Sequence, residues 1–132
     1  MKKNTKKNKK ILVVEDDIAT MQLLGEKLGE QGFLTIMAED GERALEIALK
    51  ERPDLILLDI LLPKMDGMEM LGKLRKNTWG SNVPVIILTN IDDFSTINEA
   101  LGNHVYDYLI KTDWRLGDVL ERIKEKLAIA QS

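Results

Sequence analysis

Five side chains with useful chemistry stand at the ends of short apolar runs along the chain. They are, in chain order, Glu15, Asp16, Asp59, Thr89 and Lys111. Three carboxylates in one place repel one another and raise one another's pKa values unless a cation is present. Carboxylate oxygens that leave room for water are the ligands that Mg²⁺ prefers. A divalent cation together with the Lys111 ammonium would turn such a cluster into a receptor for a phosphoryl group.

One of these carboxylates can act as a nucleophile, because aspartate forms an acyl phosphate. Asp59 is the best candidate, since it ends the most apolar run, Leu55–Leu58, and would be held rigidly. Glu15 and Asp16 would lie opposite it on the cation. The cation and Lys111 would neutralise charge on the transferring group, which is where most phosphoryl-transfer catalysis arises.

The elements that must position these residues follow from the apolar pattern. Strand-like runs cover residues 11–14, 33–38, 55–58, 84–88 and 105–110. Each run is followed by a stretch whose apolar residues recur with helical period. Strict alternation of this kind predicts a parallel sheet with helices on both faces. Ligands bind such sheets at the carboxyl ends of the strands, so the five polar residues are expected to share one crevice.

Five motifs resemble those of a known family. They are Ile-Leu-Val-Val-Glu-Asp-Asp (11–17), Pro-Asp-Leu-Ile-Leu-Leu-Asp (53–59), Leu-Pro-Lys-Met-Asp-Gly (62–67), Pro-Val-Ile-Ile-Leu-Thr (84–89) and Asp-Tyr-Leu-Ile-Lys (107–111). Together they resemble the receiver domain of bacterial two-component response regulators, in the stand-alone form of the chemotaxis regulators. The resemblance implies a doubly wound (βα)5 fold of flavodoxin type. Such a fold is a three-layer α/β sandwich whose five-stranded parallel sheet has the order 2-1-3-4-5.

The resemblance also assigns roles in phosphoryl chemistry. Asp59 matches the phosphoacceptor, which takes a phosphoryl group from a phosphohistidine on a sensor histidine kinase or phosphotransfer protein. Glu15 and Asp16 match the acidic pair that binds Mg²⁺ or Mn²⁺ together with Asp59 and the backbone carbonyl of Leu61. Lys111 matches the lysine that pairs with the phosphoryl group. Such a protein is no enzyme in the usual sense, because it catalyses only its own phosphorylation and dephosphorylation.

The same resemblance predicts a conformational switch. Thr89 matches the hydroxyl that moves towards the phosphate, and Tyr108 matches the aromatic residue that swings inward behind it. The switch would regulate a separate output protein, in a monomer or a weak phosphorylation-dependent dimer. The face expected to carry the output or dimer contact lies on the fourth helix and fifth strand. Its candidate residues are Phe94, Ile97, Val105 and Tyr106.

Three positions depart from the family pattern. Thr112 follows Lys111 where the family usually has proline, and a cis bond before Thr112 would cost about 2.5–4 kcal/mol. The sequence leaves open whether that bond is cis or trans. Asn90 stands where a small residue is usual and could narrow access to the acyl phosphate. Leu61 and Ile91 are apolar at positions that influence the hydrolytic water, which leads to the hypothesis of slow self-dephosphorylation.

Charge and composition limit the remaining possibilities. The chain has 132 residues and no cysteine, which fits one domain in a cytoplasmic setting. Residues 1–10 hold six lysines, whereas residues 11–132 carry a net charge of −9. We expect a disordered basic tail over residues 1–9 and the receiver domain over 10–131. An acidic body disfavours direct DNA binding, and no apolar run is long enough to span a membrane.

The sequence is also compatible with two other function classes. A pseudo-receiver would use the same fold as a phosphorylation-independent interaction module, which only Asn90 and Thr112 support. A Mg²⁺-dependent phosphohydrolase would need an acid–base carboxylate two residues after Asp59, where Leu61 stands. Dinucleotide binding is disfavoured, because the first strand leads into three acidic residues rather than a glycine-rich loop.

Overall fold

The computed structural model describes residues 9–127. Five strands alternate with five helices and form a single parallel sheet of order β2-β1-β3-β4-β5. The strands are β1 (Lys10–Val14), β2 (Leu34–Ala38), β3 (Leu55–Leu58), β4 (Val85–Thr89) and β5 (Asp107–Ile110). The helices are α1 (Ile18–Glu30), α2 (Gly41–Glu51), α3 (Gly67–Arg75), α4 (Phe94–Gly102) and α5 (Leu116–Lys126). The predicted fold class and strand order are therefore confirmed.

Helices cover both faces of the sheet. On one face, α1 and α5 pack through Leu24, Leu28 and Ile123 against alternate strand residues. On the other face, apolar residues of α2, α3 and α4 pack against the remaining strand residues. The central strands are buried on both sides, which explains why their sequences are continuously apolar rather than alternating.

Strand boundaries differ slightly from the predicted ones. Phe33, expected to begin the second strand, lies just before β2, and β5 begins at Asp107 rather than at Val105. The sheet register explains the second difference, because pairing between β4 and β5 starts with Ile86 opposite Asp107. Of the predicted basic tail over 1–9, residues 1–8 lie outside the described part of the chain, as do residues 128–131 of the predicted domain. Within residues 9–127, no helix has the length and apolar character needed to cross a bilayer.

Candidate functional site at the carboxyl ends of the strands

The sheet register brings the predicted carboxylates to one edge. Val14 lies opposite Leu58 in the β1–β3 pair, so Glu15 and Asp59 leave neighbouring strands at the same level. Hydrogen bonding continues one residue beyond each strand. The Asp59 amide donates to the Val14 carbonyl and the Glu15 amide donates to the Ala38 carbonyl, each at 3.0 Å. Both carboxylates therefore start from backbone that the sheet holds in place.

Glu15, Asp16 and Asp59 form a compact acidic cluster. Each offers a carboxylate oxygen, and these oxygens all lie within 4.8 Å of one another. Glu15 and Asp59 are only 3% and 6% exposed, whereas Asp16 is exposed. Buried carboxylates need partners, because desolvation of an unpaired charge is costly.

Lys111 supplies that partner to both buried carboxylates. Its Nζ lies 2.8 Å from an oxygen of Glu15 and 2.8 Å from an oxygen of Asp59. Burial lowers the pKa of the Lys111 ammonium, but hydrogen bonds and charge from Asp59 and Glu15 outweigh that effect. Its pKa therefore lies above the ordinary value. The structure thus unites four of the five residues predicted from strand ends in one cluster.

Backbone amides satisfy the second oxygen of each buried carboxylate. The Asp17 amide donates to Glu15 at 3.0 Å, and the Leu61 amide donates to Asp59 at 3.2 Å. The predicted metal contact of the Leu61 carbonyl stays a prediction. Asp16, by contrast, forms no hydrogen bond or ion pair with any residue in 9–127. An exposed, unpaired carboxylate beside two buried ones is a donor set of hard oxygens that fits a divalent cation.

Thr89 and Tyr108, the two predicted switch residues, both form hydrogen bonds with the backbone of Ile91. Thr89 is fully buried at the end of β4, and its hydroxyl accepts a long hydrogen bond of 3.4 Å from the Ile91 amide. The Tyr108 hydroxyl donates to the Ile91 carbonyl at 2.7 Å. Burial raises the pKa of the Tyr108 phenol to about 12, and the charges of nearby aspartates add to that effect. The backbone of Ile91 thus joins the two predicted switch residues, a link that sequence reasoning missed.

Gly67 is a second position whose role sequence reasoning missed. The motif Asp66-Gly67 reads as a turn, and Asp66 indeed caps α3 by accepting from the Glu69 amide at 2.9 Å. A Cβ atom on Gly67 would lie only 2.4 Å from the carbonyl oxygen of Asp59. Glycine is therefore required for α3 to approach the residue predicted to accept phosphate.

The structure answers the question about the bond after Lys111. No described peptide bond is cis, so the bond between Lys111 and Thr112 is trans. The chain continues from Lys111 into a 3₁₀ turn that ends at Asp113. A non-proline residue is therefore accommodated without a cis peptide.

The predicted output face is partly exposed. Phe94, at the start of α4, is 79% exposed, and Tyr106 is 39% exposed. Ile97 and Val105 are half-buried, and Val105 packs against the core. The face therefore presents apolar surface beside β5, and a partner for it stays a prediction.

The chain matches a family model described as the response regulator receiver domain over residues 11–124. It belongs to that family. It is 41% identical to sporulation initiation phosphotransferase F of Bacillus subtilis over 93 residues, which covers 70% of this chain and 73% of that protein. It is 35% identical to the response regulator MprA of Mycolicibacterium vanbaalenii over 118 residues, which covers 89% of this chain and 50% of that protein. Like MprA, several curated relatives are about twice the matched length.

Solved structures give the same result. A CheY-like receiver domain protein from Methanospirillum hungatei superposes with a TM-score of 0.85 at 30% identity, covering 92% of this chain and 94% of that one. The BeF3-activated N-terminal receiver domain of RstA from Klebsiella pneumoniae superposes with a TM-score of 0.81 at 34% identity. That match covers 89% of this chain and 97% of the RstA chain. The receiver fold predicted from five short motifs is therefore confirmed.

Proposed function

We propose that the chain accepts a phosphoryl group on Asp59 and signals through the resulting conformational change. The observation that carries the proposal is the shared ammonium of Lys111, 2.8 Å from both Asp59 and Glu15. A carboxylate beside a fixed cation, at the open end of a rigid strand, is arranged to attack phosphorus and to have the incoming charge neutralised.

In the proposed transfer, an Asp59 carboxylate oxygen forms a bond to phosphorus. The bond from phosphorus to the donor breaks, and its electron pair leaves with the imidazole nitrogen of a phosphohistidine. Lys111 stabilises the negative charge that develops on the phosphoryl oxygens. Burial of Asp59 excludes most water, which strengthens this interaction.

Glu15, Asp16 and Asp59 would hold Mg²⁺ or Mn²⁺ in this reaction. The fit depends on three carboxylate oxygens within 4.8 Å and on Asp16, which has no competing partner among residues 9–127. When bound, the divalent ion supplies positive charge next to the transferring group. Without such an ion, Lys111 offsets only one of the three negative charges, which favours cation binding.

Family membership suggests the partners. Receiver domains work with histidine kinases and with output domains, so we propose a phosphohistidine protein as donor and a separate output protein as target. We propose that these events take place in the cytoplasm, in a protein that modifies only itself and does not bind DNA directly. A monomer, or a weak dimer formed on phosphorylation, is the proposed assembly.

The decisive experiment is incubation with acetyl phosphate, with and without Mg²⁺, followed by intact mass spectrometry. We expect one phosphoryl adduct that needs Mg²⁺ and that is absent in Asp59→Asn. Asp92→Asn is the matched control, because Asp92 is an exposed aspartate outside the acidic cluster. An adduct lost equally in both variants would contradict the assignment of Asp59. No adduct under any condition would favour the phosphorylation-independent module, and sustained turnover of donor would favour a hydrolase.

A further inference from the structure

The turn that carries Lys111 has little support of its own. The chain leaves β5 through the 3₁₀ turn Lys111–Asp113, none of whose residues is buried and which has no side-chain cap. Thr112 and Asp113 are exposed. Yet the Lys111 ammonium must reach two carboxylates at once. Lysine has a flexible four-carbon stem, so the position of its backbone has to be fixed by something else.

Trp114, the first residue after that turn, provides an anchor. Its side chain is half-buried and packs against the apolar core between the sheet and helices α1 and α5. Trp114 and Lys111 line the same cleft of about 230 Å³, together with Leu24 and Leu88. The Trp114 indole therefore packs against core residues, while the Trp114 backbone directly follows the turn. An indole has only two side-chain torsions, so an anchor of this kind loses little conformational freedom.

Arg122 of α5 lies against the indole. Its guanidinium carbon is 5.8 Å from the centre of the Trp114 ring, within the range of a cation–π interaction. The guanidinium is held in turn by an ion pair with Asp107, the first residue of β5, with Nε donating at 2.6 Å. Asp107, Arg122 and Trp114 thus connect the beginning of β5 to the loop that follows its end.

We infer that Trp114 is a positioning residue for phosphoryl transfer. Held by the cleft and by Arg122, it fixes the turn so that the Lys111 ammonium meets Asp59 and Glu15. In a chain with Thr112 after Lys111 instead of a rigid proline, the indole supplies the restraint from one residue beyond the turn. This inference rests on the proposed function, because it concerns the rate at which Asp59 takes up phosphate.

The test compares the two tryptophans of the chain. Trp79 is also half-buried, but it packs on the opposite face of the sheet, against the core under α2, α3 and α4. With acetyl phosphate and saturating Mg²⁺, we expect Trp114→Ala to lower the maximal phosphorylation rate by about tenfold. A displacement of the Lys111 ammonium by up to about 1 Å would have an effect of this size. Trp114→Phe should restore most of the rate, and Trp79→Ala should leave it near wild type although both alanine variants lose thermal stability.

Equal rates for Trp114→Ala and Trp79→Ala would overturn the inference. If Trp114→Ala does not fold, Arg122→Gln tests the same contact, and we expect a severalfold slower maximal rate with an unchanged donor concentration at half-maximal rate. A wild-type rate in that variant contradicts the inference as well. Failure of the proposed function looks different, because wild-type protein would then take up no phosphate at all.

Fluorescence provides a readout that a purely structural role would not change. In Trp79→Phe, Trp114 is the only remaining tryptophan. We expect its emission to change when Asp59 is phosphorylated, because Lys111, on the same cleft, then turns to the phosphoryl group. The change should be absent in Trp79→Phe/Asp59→Asn under the same conditions. Emission that stays constant while mass spectrometry shows full phosphorylation would contradict the coupling of Trp114 to Lys111.

Discussion

Replacement of Gly67 by alanine tests how tightly the phosphoacceptor strand end is packed. The added Cβ would lie 2.4 Å from the carbonyl oxygen of Asp59 and 2.7 Å from the Cα of Ile60. Both are backbone atoms, so no side-chain rotation can relieve the contact. Gly67 also donates its amide to the Ile60 carbonyl at 2.9 Å, which ties the start of α3 to this loop. The backbone carrying Asp59 therefore has to move.

The size of the effect follows from these distances. Ordinary van der Waals contact begins near 3.4 Å, so α3 and the Asp59 backbone must separate by about 1 Å. Overpacking of this kind costs about 1–3 kcal/mol of unfolding free energy. A displacement of about 1 Å at a reacting group lowers the rate by up to about 100-fold. We expect Gly67→Ala to lose stability in that range and to be phosphorylated about 10–100-fold more slowly.

Gly72→Ala is the matched control. It lies on the same helix, and a Cβ there meets no atom within 4 Å. Alanine in the helix interior should raise stability by about 0.5–1 kcal/mol and leave phosphorylation unchanged. Urea denaturation gives the stabilities, and intact mass after timed exposure to acetyl phosphate gives the rates. Gly67→Ala with the stability and rate of Gly72→Ala would refute the packing argument.

Three further predictions concern the metal, the phosphate lifetime and the switch. Asp16→Asn should weaken Mg²⁺ binding by at least about tenfold in a calorimetric titration, with unchanged or slightly higher stability because a repelling charge is gone. Leu61 is 61% exposed, so Leu61→Asn should fold normally and shorten the phosphoprotein lifetime severalfold by orienting water. A wild-type phosphoprotein that decays rapidly in Mg²⁺ buffer would remove the basis of that expectation. Tyr108 should ionise at a pKa of about 12 in an ultraviolet titration, with the signal missing in Tyr108→Phe. Because the ordinary value is about 10, its contribution to stability is full below that pH and is lost as pH rises through the folded-state pKa.

The fold and the acidic cluster could be predicted because their signals are local in sequence. Continuous apolar runs such as Leu55–Leu58 indicate strands buried on both faces, and their carboxyl ends must meet in a parallel sheet. Glu15 and Asp59 are 44 positions apart, yet each is the first residue after its strand. Their positions at the strand ends are therefore enough to predict that the two carboxylates lie close together.

Contacts made by loop backbone could not be predicted in this way. Ile91 joins Thr89 to Tyr108 through its backbone amide and carbonyl, groups that every non-proline residue carries. Only the path of the chain after β4 determines which residue takes this position. Gly67 is similar, because a motif typical of a turn gives no indication of which backbone lies 2.4 Å from the missing Cβ.

The charges of the site connect the proposed chemistry to the proposed switch. Glu15, Asp16 and Asp59 bring three negative charges against one positive charge from Lys111, so a divalent ion would make the cluster neutral. A phosphoryl group on Asp59 would bring about −1.5 to −2 in place of the single carboxylate charge. In the proposed switch that surplus would attract the hydroxyl of Thr89, whose oxygen only accepts a long bond from the Ile91 amide.

Movement of Thr89 would act on Ile91, the residue whose carbonyl accepts from the Tyr108 hydroxyl. Its bond to the Ile91 amide is 3.4 Å long, whereas the bond from Tyr108 to the Ile91 carbonyl is 2.7 Å. In the proposed switch the weaker bond would break first, and the stronger one would make the aromatic side chain follow the Ile91 backbone. In the proposed mechanism the conformational signal therefore passes from phosphate to Thr89, through the backbone of Ile91 to Tyr108, and on to the exposed surface beside β5. Tyr108→Phe should accordingly leave phosphorylation of Asp59 intact while uncoupling it from that surface.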